Sequence, residues 1–107
     1  MLRSLGRKTR LQVFNTDVST RDGPSCRKCG AAPPLFIHQI TSTQLMPHGG
    51  LVPENGITLC RGCLGKAELL NSIGTAALDY MPVALYRLIG GSKGAAVLAD
   101  MAMAPME

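Results

Sequence analysis

The sequence predicts a small α+β domain of two short strands and a helix, preceded by a basic arm and followed by further helices. Three observations predict it. Cysteines recur as C-x2-C at Cys26-Cys29 and again at Cys60-Cys63, with thirty residues between the pairs. Two short apolar runs, "LFIHQI" and "ITL", flank a loop rich in Pro, Gly, Ser and Thr, and helical spacing begins after the second pair. Positive charge gathers at the start: residues 1–28 hold seven basic and two acidic residues, leaving four against five in the remaining 79. At 107 residues the chain suits one domain with a modest core. Aromatics are only 4% with no Trp, so that core must come from aliphatic residues, and a metal or cross-link would help it.

Residues 1–22 read as a basic, weakly structured arm that docks through Leu11, Val13 and Phe14. "RDGPSC" is turn chemistry that delivers the chain into the first cysteine pair. "AAPP" is a rigid connector, residues 35–40 form the first strand, and "TSTQLMPHGGLVPENG" is a loop. "ITL" is a second strand that runs into Cys60. From Arg61 the spacing of Leu64, Ala67 and Leu70 gives a helix that Gly74 stops, weakened by Gly62 and Gly65 at about 1 kcal/mol each. Pro82 opens a second helix that Gly90-Gly91 ends, and Ser92 caps a third, Ala-rich one. The domain proper is 23–74, and 75–107 is a C-terminal helical extension.

Two C-x2-C turns bring four thiols to the corners of a tetrahedron, which is the ligand set of structural Zn2+. The start, "MLRSLGRKTRLQVF", has the Arg-rich, acid-free composition of a mitochondrial presequence but no apolar core of a secretory signal. Metal ligands are therefore expected from Cys26, Cys29, Cys60 and Cys63, rather than disulfides. No apolar run approaches the roughly 18 residues of a membrane span.

A basic arm on a near-neutral body fits a polyanion, and a solvated tail is the plainer alternative. The candidate nucleic-acid contacts are Arg3, Arg7, Lys8 and Arg10 in the arm, with Arg27, Lys28, Arg61 and Lys66 at the knuckles and the helix start.

Between the knuckles the order is strand, loop, strand, helix, with His38 on the first strand and Asn55 in the loop. Here the chain resembles the HNH endonucleases of phage and prophage type. Those proteins read C-x2-C, an "HHI" strand, then "MPxGGxVxENGITLC-x2-CH-x-KAE". This chain reads "HQI", "MPHGGLVPENGITLC" and "RGCLGKAE". "RDGPSC" and "LYRLIGGS" extend the resemblance over roughly residues 21–99. It implies a zinc-stabilised ββα-metal fold that grips a divalent ion, Mg2+ or Mn2+, against a scissile phosphate. It also implies nucleic acid as partner, DNA before RNA, and a bacterial or phage-infected cytoplasm.

The departures fall on the chemistry. The resemblance puts His38 at a metal-ligand position, Gln39 where the general base belongs, and Leu64 where a second ligand belongs. Asn55 takes the place of an asparagine that braces the loop, although Asn-Gly is also at home in any turn. An amide takes no proton near neutral pH, whereas an imidazole with a pKa near 6.5 does. Losing a positioned base costs about 10²–10⁴ in rate. His48, ten residues on, is the one residue that would rescue the ion site, and a satisfied strand histidine is the plain alternative for His38. The first expectation is a zinc-binding module that holds nucleic acid with cleavage lost or weakened. An active metal-dependent endonuclease comes second, and a phage regulatory or structural protein that binds a host or virion protein comes third.

Overall fold

A computed structural model describes residues 7–105, with side chains from residue 8 onward. Its described residues form a small α+β unit of one two-stranded sheet and four α-helices. Strand β1 (Leu35–Gln39) pairs antiparallel with β2 (Gly56–Cys60), placing His38 opposite Ile57 and Gln39 opposite Gly56. Alternation then sorts the side chains. Ile57 and Leu59 are fully buried on the face covered by helix α2 (Arg61–Ile73), which contributes Cys63 and Ala67. Gly74, in left-handed backbone, ends α2 where the sequence predicts.

The opposite face carries helix α1 (Arg7–Asp22), in the stretch expected as a weakly structured arm. Residues 1–6 of that arm lie outside the described residues. The helix exists because of docking, since short helices of such composition are marginal alone. Arg10, Phe14, Val18 and Asp22 recur every four residues and all point inward. Docking therefore runs through Phe14 and Val18, while Leu11 and Val13 stay exposed. A charged residue at each end of the stripe hides the helical period from a hydrophobicity reading.

Gly56 is where the helix meets the sheet. A Cβ there would lie 2.5 Å from Val18 Cγ2 and 2.7 Å from Phe14 Cζ. Neither atom belongs to a flexible chain end, so α1 must lift to admit a methyl group. Gly56→Ala is expected to lower stability by about 1–3 kcal/mol in a urea melt, the range for overpacking. An unchanged midpoint would mean that α1 does not seat on β2.

Asp22 closes the stripe. Its carboxylate accepts from Thr58 N (2.8 Å) and Arg21 Nε (2.7 Å), and Arg27 lies 3.3 Å away. Burial alone would raise its pKa, but the hydrogen bonds from Arg21 and Thr58 bring it below the ordinary carboxylate value. The folded state thus favours the ionised form. Its contribution is complete above the unfolded pKa, about 3.9, and disappears as pH falls through the folded value. The gap in melting temperature between wild type and Asp22→Asn is expected to be wide at pH 7 and to shrink in acid below about pH 4. A gap that stays constant with pH would show that the charge contributes nothing.

The C-terminal extension comprises α3 (Pro82–Leu88), with Pro82 in its first turn, and α4 (Lys93–Met101). Ser92 Oγ accepts from Ala95 N at 3.1 Å, the expected cap. Asp100, buried near the end of α4, accepts from His48 N (2.6 Å) and Gly50 N (2.9 Å). The loop between the strands is thereby tied to the last helix. It also contains one-turn 3-10 helices at Thr43–Leu45 and Pro53–Asn55, which the sequence reading gives only as loop.

Candidate metal centre

The first knuckle is a tight turn. Cys26 N donates to Ala31 O at 2.9 Å, Gly30 N donates to Cys26 O at 2.8 Å, and Cys29 N lies 3.5 Å from Cys26 Sγ. Gly30 has φ +80°, a conformation that costs a side-chain-bearing residue, and it turns the chain away from the sulfurs. Arg27 N donates to Thr58 O at 2.9 Å and so docks this knuckle beside β2. The second knuckle needs no separate turn. Cys60 ends β2 and caps α2, and Cys63 sits in the first helical turn.

These two pieces bring the four Sγ atoms within 4.8 Å of one another, with Cys29 and Cys60 at 3.7 Å. Tetrahedral zinc with bonds near 2.3 Å needs sulfurs about 3.8 Å apart. The donor set therefore fits a divalent ion, and the four expected cysteines are positioned to hold one. Their environments differ. Cys26 and Cys63 are buried, Cys60 is half-buried and Cys29 is exposed. Burial works against ionisation of Cys26, but the N–H groups of Cys29, Cys60 and Lys28 bring its pKa down to about 6. Burial pushes the Cys63 thiol up to about 12. Four thiolates so close together need a cation among them.

Tyr80, which the sequence reading passes over, belongs to this centre. Its hydroxyl is 3.3 Å from Cys63 Sγ, and its pKa is raised by that hydrogen bond and by burial. Lys28 Nζ and Lys66 Nζ stand over its ring at 5.3 and 5.5 Å from the centroid. Lys28 also pairs with Asp79 at 3.2 Å. One sequence signal was available: the chain has only two tyrosines and no Trp. A buried phenol needs a partner.

The remaining basic residues divide. Arg3 and the Arg7 side chain lie outside the description. Lys8, Arg61 and Lys66 are exposed, Arg61 lying 4.9 Å over the Phe36 ring. Arg10 is not solvent-facing as expected: it is 4% exposed, and its guanidinium donates to Ala104 O. Arg27 is similarly engaged, with Asp22 and with Leu88 O. Each guanidinium donates to a carbonyl from a distant chain segment, and among the described residues Arg10 Nε is buried without a partner.

His38 lies on β1 at 6% exposure, and burial lowers its pKa to about 4, so it is neutral at pH 7. It lines a cleft of about 640 Å³ between α1 and α2, together with Asn15, Gln39, Glu68 and Asn71. Among the described residues Glu68 is the only carboxylate there, and it was not singled out in the sequence, although it follows Leu64 by one helical turn. Gln39 is a structural brace: its Nε2 donates to Gly49 O, and its Oε1 accepts from Thr43 Oγ1, each at 3.1 Å. Leu64 packs against the core. His48 does not join His38; its Nδ1 lies 2.6 Å from Met103 O and 3.1 Å from Asp100 O. Asn55 is wholly buried and braces the loop through its side-chain amide.

No protein-family model, no curated protein and no solved structure matches this chain. Among the described residues, no helix is long and apolar enough to cross a membrane.

Proposed function

We propose that this chain is a zinc-binding, HNH-like protein of the ββα-metal kind that binds nucleic acid, DNA before RNA, with cleavage lost or weakened. The observation that carries the reading is the four-sulfur cluster at the junction of β2 and α2. It closes a strand, loop, strand, helix unit in the order the resemblance implies. Thiolates favour zinc, whereas Mg2+ and Mn2+ prefer oxygen donors. Zinc there would neutralise the thiolates and lock both knuckles to the sheet. Exposed Lys8, Arg61 and Lys66 supply the cations that a phosphate backbone would meet.

Loss of cleavage is supported by Gln39 and Leu64. The Gln39 amide is tied into the loop and cannot take up a proton, and Leu64 offers no lone pair. Binding is tested by titrating a labelled duplex with zinc-loaded protein at several salt concentrations. Each phosphate contact contributes a slope of about −0.9 in log affinity against log salt. Replacing Arg61 and Lys66 together by Ala is expected to flatten the slope by about 2 units. If the wild type shows no salt-dependent affinity, the nucleic-acid reading fails and a protein partner becomes the better one.

A residual nuclease is favoured by one observation: neutral His38 and Glu68 share a cleft. Nicking of supercoiled plasmid in Mg2+ or Mn2+ that His38→Ala abolishes would establish it. A silent wild type beside an active Gln39→His, Leu64→His double variant would locate the loss of chemistry at those two positions.

A further inference from the structure

The four sulfurs do not meet solvent equally, and the difference has a cause outside the knuckles. Cys26 and Cys63 are 3% and 5% exposed, whereas Cys29 is open and Cys60 half-open. On the inner side Tyr80, from the 3-10 turn Leu78–Tyr80 that opens the C-terminal extension beyond both C-x2-C motifs, shares the core cluster of Cys26 and Cys63 and reaches Cys63 Sγ. We infer that Tyr80 is a positioning residue of the metal centre, latching the C-terminal extension over Cys63 and leaving Cys29 and Cys60 as the side through which the metal exchanges. This inference rests on the reading of the four cysteines as a metal site.

The chemistry assigns each partner its role. A sulfur bound to a cation is a thiolate with no proton, so in the Tyr80–Cys63 contact at 3.3 Å the phenol O–H is the donor. A hydrogen bond to a charged acceptor is stronger than a neutral one. It draws electron density from the sulfur and fixes its direction, as outer hydrogen bonds do for ligands generally. The lysines complete the latch. A divalent ion with four thiolates is a dianionic centre, and Lys28 from the first knuckle and Lys66 from α2 both stand over the Tyr80 ring. Their charges offset the centre and are attracted to the ring face. Lys28 also holds Asp79, the neighbour of Tyr80. The turn is thus tied to the first knuckle by an ion pair and to the second by a hydrogen bond to sulfur. Among the described residues, the hydrogen-bond partners of Cys29 are the other cysteines and its own knuckle backbone.

Cobalt(II) in place of zinc gives the test a readout that folding alone does not move. Tyr80→Phe keeps the ring and its two lysines and removes only the donor. The expected result is a sulfur-to-cobalt charge-transfer band at lower energy than in wild type, because an unbonded thiolate is a better electron donor. Release to a competing chelator is expected to be about 10-fold faster, the low end for loss of an outer-shell partner. Limited alkylation of zinc-loaded protein with N-ethylmaleimide, mapped by mass spectrometry, is expected to label Cys29 and Cys60 before Cys63. In Tyr80→Phe, Cys63 joins the early group. An unchanged band and release rate in Tyr80→Phe would overturn the latch while leaving the metal site intact. Equal labelling of Cys63 and Cys29 in wild type would overturn it without any variant, which covers the case of a variant that fails to fold. Wild type that gives no thiolate charge transfer with cobalt would remove the metal reading and the latch together.

Discussion

Removing the metal is expected to unfold the protein. Zinc-loaded, reduced protein treated with a strong chelator should lose most of its far-UV helical signal and its cooperative melt, and added zinc should restore both. The size of the effect follows from where the cysteines sit. Cys26 and Cys63 are members of the main core cluster, beside Ile57, Leu59, Ala67 and Tyr80, so the centre lies within the packing. An ion held by the four sulfurs would bridge the first knuckle to the β2–α2 junction, which are also joined by Arg27 N to Thr58 O and by Asp22. Structural zinc supplies roughly 10 kcal/mol or more of apparent binding free energy, comparable to the whole stability of a small domain. Without the ion, buried thiols would remain around an empty tetrahedron. Cys26→Ser and Cys63→Ser should behave like the chelated protein, and Cys29→Ser less severely, because Cys29 is exposed. A metal-free chain with an unchanged melting midpoint would show that the core stands without the ion.

The elements that were legible in the sequence are those fixed by local chemistry. The two C-x2-C turns, the strand running into Cys60, the stop at Gly74 and the Ser92 cap each depend on a few neighbouring residues, and each lies where the spacing puts it. Helix α1 was not legible, because its inward stripe begins with Arg10 and ends with Asp22. Such residues read as exposed until their partners are known. Those partners are distant in sequence: Ala104 O for Arg10, and Thr58 N for Asp22. The contact of the Arg27 guanidinium with Leu88 O, sixty-one residues on, is hidden from the sequence for the same reason. In the candidate site, the cysteines announce themselves by spacing. Tyr80 and Glu68 do not, because one reaches its sulfur from a turn seventeen residues past Cys63 and the other reaches its cleft only through helix phase.

Asn55→Ala is expected to be the most damaging substitution away from the cysteines, by about 3–5 kcal/mol. The side chain is wholly buried, and every polar direction of its amide is used. Oδ1 accepts from Thr41 N at 3.0 Å and from Tyr86 Oη at 2.6 Å. Nδ2 donates to Thr41 O at 2.9 Å and to Gly50 O at 3.1 Å. One side chain thus joins the end of β1, the glycine loop and α3. Truncation strands three buried groups and leaves the Tyr86 hydroxyl only Thr41 Oγ1, and each unsatisfied group costs about 1–3 kcal/mol, with relaxation and water entry recovering part. The arrangement also explains the choice of residue. Aspartate would present oxygen to the carbonyls of Thr41 and Gly50, so Asn55→Asp should also destabilise strongly although its shape is nearly unchanged. Tyr86→Phe removes only one of the two donors to Oδ1 and frees Thr41 Oγ1, 2.7 Å from the phenol, so about 1–2 kcal/mol is expected. Because Asn55 and Tyr86 share a bond, the double variant Asn55→Ala, Tyr86→Phe should cost less than the sum of the singles. Urea melts of the four proteins test this directly. A simple sum would mean that the two side chains act independently, and the loop would then owe its shape to Asp100 and the glycines rather than to Asn55.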